Sequence, residues 1–209
     1  GAEPLTVETV QLRSPKFEPE SPSPRDTQLA PGQLLLLPLP YGPSVCPAGE
    51  GADVVVATIG GEAVEVPLTQ QPDGVMDELH EVECAEAAVR DAADLTFGDQ
   101  WEVTGPRSAS GEVVVEPRGS TEVVVESMEG NIVFGVRLGA GDLPAPSTFP
   151  AELVVDRCDT HALIESKRTF KFPLEVSLDG GDPALVVLEA LPGTPARRVL
   201  AGLIQACIG

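Results

Sequence analysis

Leu5, Val7 and the run from Val10 to Leu12 fall nearly in alternation with polar neighbours, and this stretch predicts a first strand. Pro15, Pro19, Pro22, Pro24 and Pro31 then interrupt the chain among charged residues. Proline donates no ladder hydrogen bond, so residues 14–31 read as an extended surface crossover. Residues 34–39 are apolar and β-compatible, and Pro38 and Pro40 confine them to a sheet edge or end the strand there. Residues 54–59 and 63–68 flank Gly60-Gly61, a turn that tolerates positive φ, and together predict a tight hairpin. Residues 123–128 and 132–138 flank Gly130-Asn131 and predict a second hairpin of the same kind.

Helical signals are fewer. Residues 84–93 are alanine-rich, with acids near the start and no proline, which predicts a short helix. After Cys158, Asp159 is placed to cap a similar segment by accepting from the backbone N–H of His161 or Ala162. Strands are expected to follow at 100–104 and 169–178, with 106–111 a turn-rich connection to a strand at 112–116. Near the end, Thr194-Pro195 is a cap followed by proline, and Val199, Leu200, Leu203, Ile204 and Cys207 recur at helical spacing. An amphipathic terminal helix is expected.

The chain also repeats itself. Residues 54–68 align with 123–138 if one residue is inserted near Asn131, and Cys84-Ala85-Glu86-Ala87-Ala88-Val89-Arg90-Asp91 aligns with Cys158-Asp159-Thr160-His161-Ala162-Leu163-Ile164-Glu165. Residues 97–103 pair more loosely with 170–176. The offset is domain-sized, whereas solenoid arrays repeat every ~20–50 residues. Read as a tandem duplication, the pattern gives two β-rich domains, 1–106 and 107–209, joined near residues 104–110.

Composition supports that division. A chain of 209 residues with 21 glycines and 21 prolines suits short strands and tight turns, and each half is long enough to bury its own core. The net charge of −20 repels nucleic-acid phosphate and anionic lipid alike, so neither is an expected partner. No apolar run approaches the ~20 residues that span a bilayer. The chain begins at Gly1 without an initiating Met or a leader, as a processed or truncated protein would.

Four cysteines, Cys46, Cys84, Cys158 and Cys207, lie tens of residues apart, which is not a zinc spacing. An even number suits disulfides in an oxidising compartment. Three pairings are open; Cys46 with Cys84 and Cys158 with Cys207 is favoured because each bridge then stays within one half. The two histidines mark no convincing catalytic or metal site. His80 sits among acids at 77–83, where alternation would place it with Val82 and Cys84. Asp159, His161 and Glu165 form a weak candidate polar cluster.

There is no serine elbow and no H-E-x-x-H, and Leu138-Gly139-Ala140-Gly141-Asp142 lacks the nucleotide-binding pattern. Asp179-Gly180-Gly181-Asp182-Pro183 suits a hairpin turn better than a calcium loop. Trp101 reads as core. The sum of tandem β-rich units, internal disulfides and acidity resembles extracellular immunoglobulin-like modules in architecture. The expectation is two tandem immunoglobulin-like β-sandwich domains, each with a short helix, plus the C-terminal helix, without cofactor. In function it implies a secreted or envelope-attached, non-catalytic binding module for a protein or envelope component. A hydrolase using clustered carboxylates and a structural spacer are the alternatives.

Overall fold

The computed structural model describes residues 4–68, 74–139 and 147–208, with Thr160, Ile164 and Glu165 described by backbone alone. Among these the chain is mainly β, with twelve strands in three antiparallel sheets and three helices. No helix among the described residues is long and apolar enough to cross a membrane. Two compact units divide the chain, Gly1–Cys84 and Ala85–Gly209.

In the first unit β1 (Leu5–Arg13) lies between β2 (Ser23–Leu29) and β3 (Val54–Ile59), and β3 pairs with β4 (Glu62–Pro67). Val7, Val10 and Leu12 are all buried, although strict alternation puts Val7 on the opposite face from the other two. A bulge between Val7 and Thr9 resolves the conflict: the register shifts there, and the extra residue swaps the parity. The β3–β4 hairpin forms as expected, turning at Gly60 and Gly61 with φ of +59° and +81°.

Two expectations fail here. Residues 14–31 are not all crossover, since β2 pairs with β1 within them; β2 ends the sheet, and an edge strand tolerates Pro24 because one side needs no ladder donor. Residues 34–39 form no strand. Leu37 and Leu39 instead drop onto the small core of Val7, Val10 and Ala57, while Leu34 and Leu36 are about nine-tenths exposed.

Beyond the sheet, the loop at 41–49 is stitched from both sides. On one side Val45 N donates to Lys16 O at 2.7 Å, Glu18 N to Pro43 O at 2.8 Å and Gly49 N to Pro15 O at 2.9 Å. On the other stands α1 (Val75–Ala92), which brings His80, Glu83 and Cys84 against the loop. Phe17 is buried beneath, 5.0 Å from the Tyr41 ring and 6.1 Å edge-on to His80. Lys16 Nζ completes the stitch, 2.6 Å from Asp53 and 2.9 Å from Asp77. The helix starts nine residues before the predicted Cys84, with Asp77 and Glu78 in its first turn where the helix dipole favours acids. The division between the units falls inside it.

The second unit buries one core between two sheets. One runs β5 (Ala93–Phe97), β7 (Ser108–Pro117), β10 (Ser147–Val155), β9 (Phe134–Leu138), with β6 (Glu102–Gly105) also pairing with β7; the other runs β12 (Ala184–Glu189), β11 (Lys171–Leu178), β8 (Val123–Met128). Val113, Val115 and Leu153 from the first meet Phe172, Leu174 and Val176 from the second, each fully buried. Each such side chain contributes about 1.5–3 kcal/mol over leaving it in water. The short α2 (Thr160–Glu165) precedes β11. At the end α3 (Pro195–Ile208) adds Ala196, Leu200 and Leu203 to the same core, and Thr194 Oγ1 accepts from Arg197 N at 3.3 Å, the cap its sequence predicts.

The second hairpin does not form. β8 pairs with β11 and β9 pairs with β10, so the two predicted partners lie in different sheets. Asn131 causes the exit: its Oδ1 accepts from Val133 N and Phe134 N, and its Nδ2 donates to Thr169 O and Lys171 O. The aligned stretches therefore follow different chain paths, and a structural duplication is not what their likeness records. The boundary moves as well. Residues 104–110 hold a tight turn between β6 and β7 rather than a linker, and β5 and β6 belong to the second unit.

Trp101 lies flat over Gly111, where an added Cβ would come within 2.2 Å of the indole. Gly202, in α3, has open space around it. Gly111→Ala is therefore expected to lower stability by about 1–3 kcal/mol through overpacking, and Gly202→Ala to raise it by roughly 0.5–1 kcal/mol. Urea unfolding followed by circular dichroism reads both; equal stability of Gly111→Ala and the wild type would mean the indole swings free at no cost.

A second expectation concerns acid. Burial raises the Asp53 carboxyl, but hydrogen bonds from Lys16 and Ser14 more than offset it and hold it below the ordinary carboxylate value. A depressed pKa stabilises the fold above the unfolded value, about pH 4, and that contribution drains away as pH falls through the folded one. Asp53→Asn should cost on the order of 1–3 kcal/mol at pH 7 and flatten the loss of stability below pH 4. Denaturation midpoints at pH 7 and pH 3 give the comparison, and parallel losses in variant and wild type would contradict it.

Candidate functional site

An acidic cleft of about 780 Å³ lies in the second unit, within the range of small-ligand and peptide sites. It opens where β5 and β12, the end strands of the two sheets, come into contact. Among the described residues each pairs on one side alone, β5 with β7 and β12 with β11. No described strand pairs with the backbone groups on their other sides, and such an edge is where a sheet accepts an added strand.

Alternation along β7 builds one wall. Val113 and Val115 face the core, so Glu112, Val114 and Glu116 must face the other way, and all three line the cleft. Glu112 is set by Gly98: Gly98 N donates to Glu112 O at 2.9 Å, and the Glu112 side chain runs where a Cβ on residue 98 would sit, 2.4 Å from that position. Any larger residue at 98 displaces the carboxylate. β5 supplies Leu95, Thr96 and Phe97, and β12 supplies Val187, Leu188 and Glu189. Asp99 adds a further acid.

The apolar part is continuous with the core. Phe97 stacks edge-on against both Trp101, at 5.5 Å, and Phe172, at 5.6 Å. Leu191, more than half exposed, stands at the rim. Among the described residues, four carboxylates in the cleft face one cation, Arg90, whose guanidinium already bonds Glu86 at 2.6 Å and the Val187 carbonyl at 3.2 Å. Glu189 is also partly answered, by Lys171 at 3.3 Å. Glu112, Glu116 and Asp99 carry the cleft's uncompensated charge.

The residues singled out from the sequence lie elsewhere. Cys46 and Cys84 form one disulfide and Cys158 and Cys207 the other, with Cα separations of 5.7 and 5.5 Å, in the favoured pairing. Asp159 caps α2, accepting from Ala162 N at 2.9 Å; that hydrogen bond first, and then Arg157, hold its carboxyl below the ordinary value. His161 is exposed on α2, and the Glu165 side chain lies outside the described residues, as do residues 140–142 of the glycine-rich stretch. Asp179 turns the β11–β12 hairpin at φ +49°, and its carboxylate accepts from Glu122 N. Trp101 is partly buried against the core, as expected.

His80 and Val82 do not share a strand face with Cys84. The segment is helical, so His80 and Cys84 stand one turn apart and meet, Nε2 to Sγ at 3.3 Å, while Val82 points elsewhere and is half exposed. The cleft was missed because its walls are far apart in sequence; only the outward acids of β7 left a local signal, in their alternation with buried valines. Compared with family models, curated proteins and solved structures, the chain matches none.

Proposed function

We propose that this chain is an extracytoplasmic, non-catalytic binding module whose second unit takes an extended, basic segment of a partner protein into the cleft between β5 and β12. The observation that carries the reading is the coincidence, in one cleft, of two strand edges that no described strand pairs, an apolar floor and an excess of carboxylate. Strand edges supply main-chain pairing, alternate side chains of the guest reach the apolar floor, and Glu112, Glu116 and Asp99 meet its cations.

The architecture supports the same class. The second unit's order β5-β7-β10-β9 against β12-β11-β8, with β6 as an extra short strand, follows the A-B-E-D and G-F-C order of a constant-type immunoglobulin sandwich. We assign that fold to this unit alone, since the first holds a single four-stranded sheet among the described residues. Two disulfides within the chain fit an oxidising compartment.

Trp101, the chain's single tryptophan, lines a smaller depression that shares Gln100 and Glu112 with the cleft, and so reports on its occupancy. An alternating valine–lysine peptide should change its fluorescence saturably, and a valine–glutamate peptide should not. Backbone NMR shifts should concentrate on β5, β7 and β12. The double variant Glu112→Gln, Glu116→Gln should weaken binding roughly tenfold and flatten its salt dependence. Shifts spread over the whole acidic surface, or equal affinity for wild type and variant, would show general charge attraction and overturn the reading.

A further inference from the structure

We propose that Cys46, Cys84 and His80 form a redox-gated metal site in the first unit, closed while the Cys46–Cys84 bridge is intact and opened to a zinc-like or cuprous ion by its reduction. Two thiolates and an imidazole are the donor set that such ions select over calcium or magnesium. Among the described residues this is the one group of three metal-ligating side chains whose donor atoms lie within 4.8 Å of one another.

Bridge and ion are alternative fastenings for one loop and one helix: opening the bridge loosens the loop, and the ion draws its thiolate back to the pair that α1 carries. His80 and Cys84 are one turn apart on α1, with 3.3 Å between Nε2 and Sγ. Tetrahedral coordination at metal–sulfur distances of ~2.3 Å and metal–nitrogen distances of ~2.0 Å needs donors about 3.5–3.8 Å apart. That pair is nearly at its final spacing. Cys46 is carried by the stitched loop, and its Cα stands 5.7 Å from that of Cys84, so the sulfurs reach a chelating separation by side-chain rotation. Phe17, edge-on to the ring at 6.1 Å, packs the imidazole in place, while Nε2 stays on Val45 O at 2.9 Å until an ion takes it. Cys46 is exposed, so reductant, ion and a fourth, water ligand all have access.

The opening step balances with a named reductant. A dithiol gives two electrons and two protons: the Cys46–Cys84 S–S bond breaks, both sulfurs leave as thiols, and the dithiol closes to its own disulfide. Metal binding then releases both thiol protons to solvent as two metal–sulfur bonds form. His80 contributes through Nε2 with its proton on Nδ1, giving up the bond to Val45 O.

The test uses the full chain carrying Cys158→Ser and Cys207→Ser, so that the first pair supplies the only thiols, with the wild type in parallel. A water-soluble phosphine reduces the bridge, becoming phosphine oxide with oxygen from water, and Co(II) is the probe. The reduced protein should take one Co(II) per chain, with sulfur-to-cobalt charge-transfer bands and intense visible bands of tetrahedral coordination, and Zn(II) should displace it. The oxidised protein should show neither. His80→Ala should weaken binding by more than about tenfold, the lower end of what losing a group that merely orients a ligand costs, and His161→Ala should leave it unchanged. Equal affinity in reduced wild type and His80→Ala, or binding without charge-transfer bands, overturns the site. So does a reduced first unit whose amide NMR dispersion is lost and does not return with Co(II), because the donors would then not be held by the fold.

Discussion

Two long helices carry the chain's two disulfides, and each bridge joins its helix to a loop. Cys46–Cys84 fastens the 41–49 loop to α1, and Cys158–Cys207 fastens the last turn of α3 to the segment before α2. By the chain-entropy account each closure is worth about 4 kcal/mol. That is a sizeable share of the ~5–15 kcal/mol on which a domain stands. The first unit needs it more. Its apolar core is small, Val7, Val10 and Ala57 with a few half-buried neighbours, and its loops are held by single hydrogen bonds and the Lys16 ion pairs.

The second unit shows the opposite balance. Its core is large and continuous across both sheets and α3, so its stability rests on packing, and its surface is left to carry charge. With 33 acids against 13 bases the chain repels itself, and carboxylates gather wherever strand alternation turns them outward. On β7 the alternation that buries Val113 and Val115 also places Glu112 and Glu116 in the cleft, so folding and recognition are two faces of one strand.

What could be read from the sequence was local. β1, the Gly60-Gly61 hairpin, the Thr194 cap with its helix and the pairing of the cysteines depend on neighbours or on loop lengths, and they stand as read. The second hairpin failed because Asn131, a plausible turn residue, is claimed by carbonyls of Thr169 and Lys171 some forty positions away. β2 was hidden because a proline-rich stretch becomes a strand only when β1 offers it an edge. The domain boundary was misplaced for the same reason, since β5 and β6 are defined by pairing with β7. The cleft was legible on one wall alone, as nothing in residues 93–117 says that β12 will lie beside them.

Hydrogen exchange on the two disulfide-free variants tests the anchoring of helices by bridges most directly. Replacing Cys46 and Cys84 by serine should strip protection from residues 41–49 and the first turns of α1 while β1 and β3 stay protected. Replacing Cys158 and Cys207 should lower protection in the last turn of α3, where Cys207 sits, and spare the inner strands β7 and β11. Protection unchanged in the helices, or lost evenly across the sheets, would contradict the account, because the bridges would then either hold nothing or hold everything.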